Sequence, residues 1–139
     1  MSMNYVNTFI QIAPDCPVDE AVVPPARGGK KSIPLLEYEM LSGNPYVFTQ
    51  EEILFEVHAQ HKGIPESKLK SHRKELWEVF YSQSRACLRA SSLPKKYGWG
   101  IHFNAEGKAA LVPMESTEYR QFVGDKNITQ FLAMRSKRG

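Results

Sequence analysis

The residues best equipped for chemistry lie between Arg85 and Phe103. That stretch holds Arg85, Arg89, Lys95 and Lys96, the Cys87 thiol, the Ser91 and Ser92 hydroxyls, the His102 imidazole and the rings of Tyr97, Trp99 and Phe103. Paired cations near serines and glycines are typical of sites that hold carboxylates or phosphates. Arg89, Ser91, Ser92, Lys95, Lys96 and His102 are therefore candidate ligand-binding residues. A second chemistry is nucleophilic. A thiol among cations ionises readily, and His102 could serve as its base. No cysteine-protease signature surrounds Cys87, however, and free cysteines are commonly small buried hydrophobes. A third is base stacking. Alternate aromatics on a strand resemble an RNA-reading surface, but Ile101 stands where the middle ring belongs, and that face is needed for packing.

Two further groupings are chemical in type. Arg27-Gly28-Gly29-Lys30-Lys31-Ser32 runs into an expected helix N-terminus, where free N–H groups favour an anion. Arg27, Lys30 and Lys31 join the candidate ligand-binding set. The phosphate-loop signature would need a glycine at Pro24 and a preceding strand, and the composition also suits a solvated loop. His58 and His61 lie three apart on one expected helix, but a metal needs a third ligand, such as His72, His102 or a carboxylate. The HExxH order is absent, so no metal and no cofactor is expected.

A hairpin must position the Arg85–Phe103 chemistry. Tyr97, Trp99, Ile101 and Phe103 alternate with Gly98, Gly100, His102 and Asn104, the period of a half-buried strand. Asn104 to Gly107 is a turn, Lys108 to Val112 the returning strand, and Pro113 its stop. The large apolar face must pack. The glycines on the other either admit a ligand or relieve crowding under a covering loop. Trp99→Lys should then unfold the domain, while His102→Lys should be tolerated.

Composition narrows the classes. The chain has 139 residues, 42% hydrophobic and 24% charged, with net charge +3. That length suits one domain with a real core. The charge is too mild to point to nucleic acid. No apolar run approaches the roughly 20 residues that span a bilayer, and the start lacks the pattern of a signal peptide. Cys16 and Cys87 form no CxxC pair, which favours a reduced, cytoplasmic setting.

In chain order, Tyr5 to Ala13 reads as a strand, and Val18 to Lys31 as a long exposed loop. Ser32 caps a helix to about Leu41. Thr49 and Glu52 make a capping box, with Phe48 and Ile53 as a hydrophobic staple, for a helix to His61. A third helix spans Pro65 to Tyr81, burying Leu69, Leu76, Val79 and Phe80 and pairing Glu66, Lys70, Lys74 and Glu78 on its other face. Ser116 caps a short helix ending at Gly124. Ile128 to Met134 is the last strand, and Arg135-Ser136-Lys137-Arg138 is a basic tail. The order predicts one α+β domain over residues 1–139, a small antiparallel sheet of about four strands with helices packed on one face.

Asn7-Thr8-Phe9-Ile10 with Asp15-Cys16-Pro17, Asn44-Pro45-Tyr46, Cys87-Leu88-Arg89-Ala90-Ser91, Lys96-Tyr97-Gly98-Trp99-Gly100-Ile101-His102 and Met134-Arg135-Ser136-Lys137 are specific landmarks. On them the chain resembles a bacterial family of uncharacterised single-domain proteins, nearly end to end. The resemblance implies a small stand-alone bacterial protein and carries over no activity, ligand or catalytic residue. Taken from the residues, the first expectation is a cytoplasmic binding module for a small anionic ligand or an acidic partner surface. The alternative is a small hydrolase or transferase using Cys87 or His102. A structural protein whose basic tail touches nucleic acid has only the terminal cations in its favour.

Overall fold

The computed structural model describes residues 3–135, and residues 136–139 of the basic tail lie outside them. Strands β1 (Thr8–Gln11), β2 (Trp99–Phe103), β3 (Ala109–Pro113) and β4 (Thr129–Leu132) form one sheet in the order β3-β2-β1-β4. Helices α1 (Ile33–Gly43), α2 (Gln50–Lys62), α3 (Glu66–Ser71), α4 (Arg73–Tyr81), α5 (Ser92–Lys96) and α6 (Thr117–Val123) complete an α+β fold.

The hairpin forms as its alternation predicts. Ile101 pairs with Leu111 and with Ile10 of β1, and Ile10 in turn with Phe131 of β4, so one row of apolar side chains crosses the sheet. Ile10, Ile101, Phe103 and Ala109 are fully buried against Leu41, Ile53, Val57, Leu88 and Leu93 from the helical side. Gly107 takes φ 78° to close the turn.

The sheet is mixed rather than antiparallel: β1 pairs with β2 antiparallel but with β4 parallel. The cause is the helix between the last two strands. A chain leaving β3 through a helix cannot turn back as a hairpin, so it crosses over and returns parallel. That crossover puts α6 on the second face of the sheet. There Phe9 packs on Tyr119 and Phe122 at centroid distances of 5.1 and 5.3 Å. Helices therefore cover both faces, not one.

Helix α2 starts as expected, with Thr49 accepting from Glu52 N–H and Glu52 Oε1 accepting from Thr49 N–H. It ends at Gly63 with φ 71°. The expected third helix is two. His72, at φ −122°, separates α3 from α4, and the Ser71 hydroxyl donates back to the Ser67 carbonyl at 2.9 Å. Such back-bonding draws a serine's backbone out of the helical ladder. The break rotates the apolar stripe. Trp77, Phe80 and Tyr81 turn inward, with Phe80 against Phe55 and His58, while Val79 is 69% exposed. It also breaks up the expected face of charges: Glu66, Lys70, Lys74 and Glu78 form no ion pair among the described residues, and Arg73 pairs instead with Glu56 of α2.

Candidate functional site

The Gly28-Gly29 loop is ordered. Arg27 and Lys30 exchange both backbone hydrogen bonds at 2.9 Å, with Gly28 at φ 58° and Gly29 at φ 75°. Two successive positive φ values make a type I′ turn, and only glycine adopts them freely. Nothing lies within 4 Å of where either Cβ would be, so these glycines serve backbone shape rather than close approach. The turn delivers Arg27, Lys30 and Lys31 to the start of α1, where Ser32 caps the helix and donates to the Pro25 carbonyl.

A cleft of 410 Å³ opens there, lined by Arg27, Lys30, Lys31, Ser32, Ile33, Pro34, His61, Ser92, Lys96 and Tyr97. The two basic segments therefore meet, although some 60 residues of chain separate them. Lys31 is drawn partly aside by Glu39, its Nζ 2.8 Å from Oε1. Arg27, Lys30 and Lys96 have no ion pair among the described residues.

Other members of the sequence-derived set lie elsewhere. Arg89 donates from Nε to the Leu132 carbonyl at 3.0 Å and covers the Phe131 ring, so it clasps β4. Lys95 lines none of the described clefts. Ser91 is buried beneath an adjoining cleft of 400 Å³, which Cys87, Ser92, Ile33 and Pro34 also line. His102 is on the far face of the sheet, stacked on Phe122 at 4.0 Å, with Nδ1 2.9 Å from Tyr46 Oη. Burial pushes its imidazole below the usual histidine range, against a weaker upward pull from Asp125. Tyr46 itself sits at φ 59°, costly for a bulky side chain.

Cys87 and His102 are thus not brought together. Cys87 instead neighbours Tyr5, whose phenol burial pushes up to about 12, with Cys87 adding to the rise. Both cysteines are free and half-buried. The hairpin glycines admit no ligand. A Cβ at Gly98 would meet Met114, Val18 and Ala21 of the long loop, and one at Gly100 would meet Phe9 and Tyr119. His58 packs on the Phe80 ring at 4.7 Å; burial, then Arg85, Lys62 and His61, lower its pKa. His72 bonds Ser71. No group of three or more His, Cys, Asp or Glu gathers among the described residues.

Sequence reasoning passed over Glu37. It is buried, and its Oε1 accepts the Ser91 hydroxyl hydrogen at 2.8 Å. Desolvation pushes the carboxyl up to about 7, against the smaller downward effect of that hydrogen bond. The signal was there: Ile33, Leu36, Glu37, Met40 and Leu41 mark the i, i+3, i+4, i+7, i+8 stripe, with an acid in an apolar slot.

The family model described as a family of unknown function, DUF6157, matches residues 1–139. The chain belongs to DUF6157. Searches of curated proteins and of solved structures gave no match. For this DUF6157 protein, then, the geometry of the cleft is the ground on which function is argued.

Proposed function

We propose that this protein is a binding module for a small anionic ligand, a phosphate or carboxylate held by Arg27, Lys30, Lys31 and Lys96 with Ser92. The observation that carries this reading is the type I′ turn, which fixes the backbone that presents Arg27 and Lys30 at the 410 Å³ cleft. With the backbone preset, only side-chain freedom is lost on binding, so more of the interaction is retained as affinity. The same cations would serve an acidic partner surface.

A hydrolase or transferase is the second reading, favoured by Cys87 lining the adjoining cleft. The base would then have to be a group other than His102. A cytoplasmic setting fits the two free cysteines. No helix among the described residues is long and apolar enough to cross a membrane.

The test is a thermal-shift screen of phosphorylated and carboxylated metabolites at constant ionic strength. An anion at a hundred times its Kd adds about 2.7 kcal/mol, a shift on the order of 5 °C. The shift should appear in wild type and in Arg89→Ala but vanish in Lys30→Ala. If no anion separates Lys30→Ala from wild type, the module reading fails.

A further inference from the structure

Glu37 is the only buried acid among the described residues, and no cation pairs with it there. Ser91 occupies Oε1. Oε2 has no partner among the described residues, and no fully buried side-chain N or O atom there lacks one, so Oε2 opens on cleft space. Glu37 lines two clefts, of 400 and 310 Å³. The larger shares Ile33, Pro34 and Ser92 with the basic cleft. The shared residues set the two clefts side by side around the start of α1. Ile33, common to both, and Glu37 are four residues apart on a helix rising 1.5 Å per residue, so about 6 Å of helix separates their backbones.

We propose that these adjoining clefts take a short-chain phosphomonoester, its phosphate at Arg27, Lys30 and Lys96 and a carbonyl oxygen at its far end accepting from Glu37. This deepens the binding-module reading and rests on it. Three unpaired cations suit a dianion better than a carboxylate. Ile33, Leu54 and Ala90 are among the walls of the acid's cleft, which suits an apolar body of about four carbons rather than a fully hydroxylated one. Because Ser91 gives its hydrogen to Oε1, the acid's own proton belongs on Oε2, where it can donate to the ligand. A ligand amine would instead need Glu37 ionised, which reverses the pH dependence. Facing Glu37 across the clefts are His58, His61 and Lys62 of α2 and Cys87 of the segment before α5. Glu37→Gln keeps all four of these groups, so any pH dependence that they cause persists in that variant.

The experiment is calorimetric titration with inorganic phosphate, pentyl phosphate and 4-oxopentyl phosphate at pH 6 and pH 8. Wild type, Glu37→Gln and Lys30→Ala are compared. At pH 6 the ketone oxygen should tighten wild-type binding about tenfold over pentyl phosphate, the worth of one buried hydrogen bond. That ratio should shrink at pH 8 in wild type and stay constant in Glu37→Gln, whose amide donates at both values. Lys30→Ala should weaken all three probes. If pentyl phosphate binds and the ketone adds nothing, or if the ratio grows with pH, this inference is overturned and the binding module stands. If none of the three phosphates binds wild type, this inference falls and the module reading is decided by the anion screen.

Discussion

The ring of Phe9 fills the space that a side chain at residue 100 would need. A Cβ on Gly100 would lie 2.7 Å from Phe9 Cζ and 2.8 Å from Tyr119 Cε2. Glycine here is a matter of volume, and the ring it admits ties β1 to α6.

Gly100→Ala should therefore destabilise the fold by about 1 to 3 kcal/mol, the usual cost of overpacking a closed core. Gly124→Ala is the matched control, since its added carbon would meet nothing nearer than 3.6 Å. Urea denaturation of both checks this. Equal stabilities would mean that α6 can lift away from the sheet.

Glu37 makes stability fall as pH rises. The folded protein holds the Glu37 proton up to about 7, the unfolded chain only to about 4.5. Stability is fullest below the lower value and declines across the window between them, by about 3 kcal/mol in all. Glu37→Gln keeps an acceptor for Ser91 and removes that titration. Melts from pH 4.5 to 8 should show the variant gaining on wild type as pH rises, and parallel curves would refute the assignment.

His102 acts with the opposite sign. Its folded pKa is lowered, so its contribution is present above the unfolded value, about 6.5, and is lost as pH falls below it. His102→Phe should keep the stack on Phe122 and lose the Tyr46 bond, for a pH-independent cost of about 1 kcal/mol near neutrality. Below pH 6 its deficit against wild type should narrow. His102→Lys should destabilise markedly, because the stacked ring is replaced by a half-buried charge, contrary to the tolerance its strand face suggests.

Arg89→Ala should cost about 1 to 2 kcal/mol, through loss of a charge-assisted bond to the Leu132 carbonyl and of packing on Phe131. Hydrogen exchange should speed up in β4 and leave the amides of α1 unchanged. Uniform acceleration across the domain would mean that the clasp is not local.

Much of the fold is legible because it depends on local rules. The hairpin follows from alternation at Trp99 to Phe103, and α2 from its capping box at Thr49 and Glu52. The parallel β4 was missed, although a Ser116-capped helix between two strands implies a crossover. The site was harder to read, because nearness in sequence is not nearness in space. Arg89, Lys95, Lys96 and His102 lie within 14 positions, yet the turns of α5 and the pleat of β2 send them in different directions. Lys96 reaches the cleft through contact with a turn far upstream, which no periodicity reveals. Glu37 was passed over because its neighbours define the stripe as core.

The placement of β1 between β2 and β4 has a consequence for biosynthesis. Both hydrogen-bonding partners of β1 lie more than 85 residues downstream of it, and β4 is the last of the four strands to be made. Loops that long close slowly, and the pairings they permit come late in folding. While the ribosome is still making the chain, Thr8 to Gln11 waits as an unpaired strand with Phe9 and Ile10 uncovered, which are the conditions that recruit a nascent-chain chaperone. A chain released before β4 is made would keep that edge open for good, so the last strand decides whether the first becomes part of a sheet or a seed for aggregation.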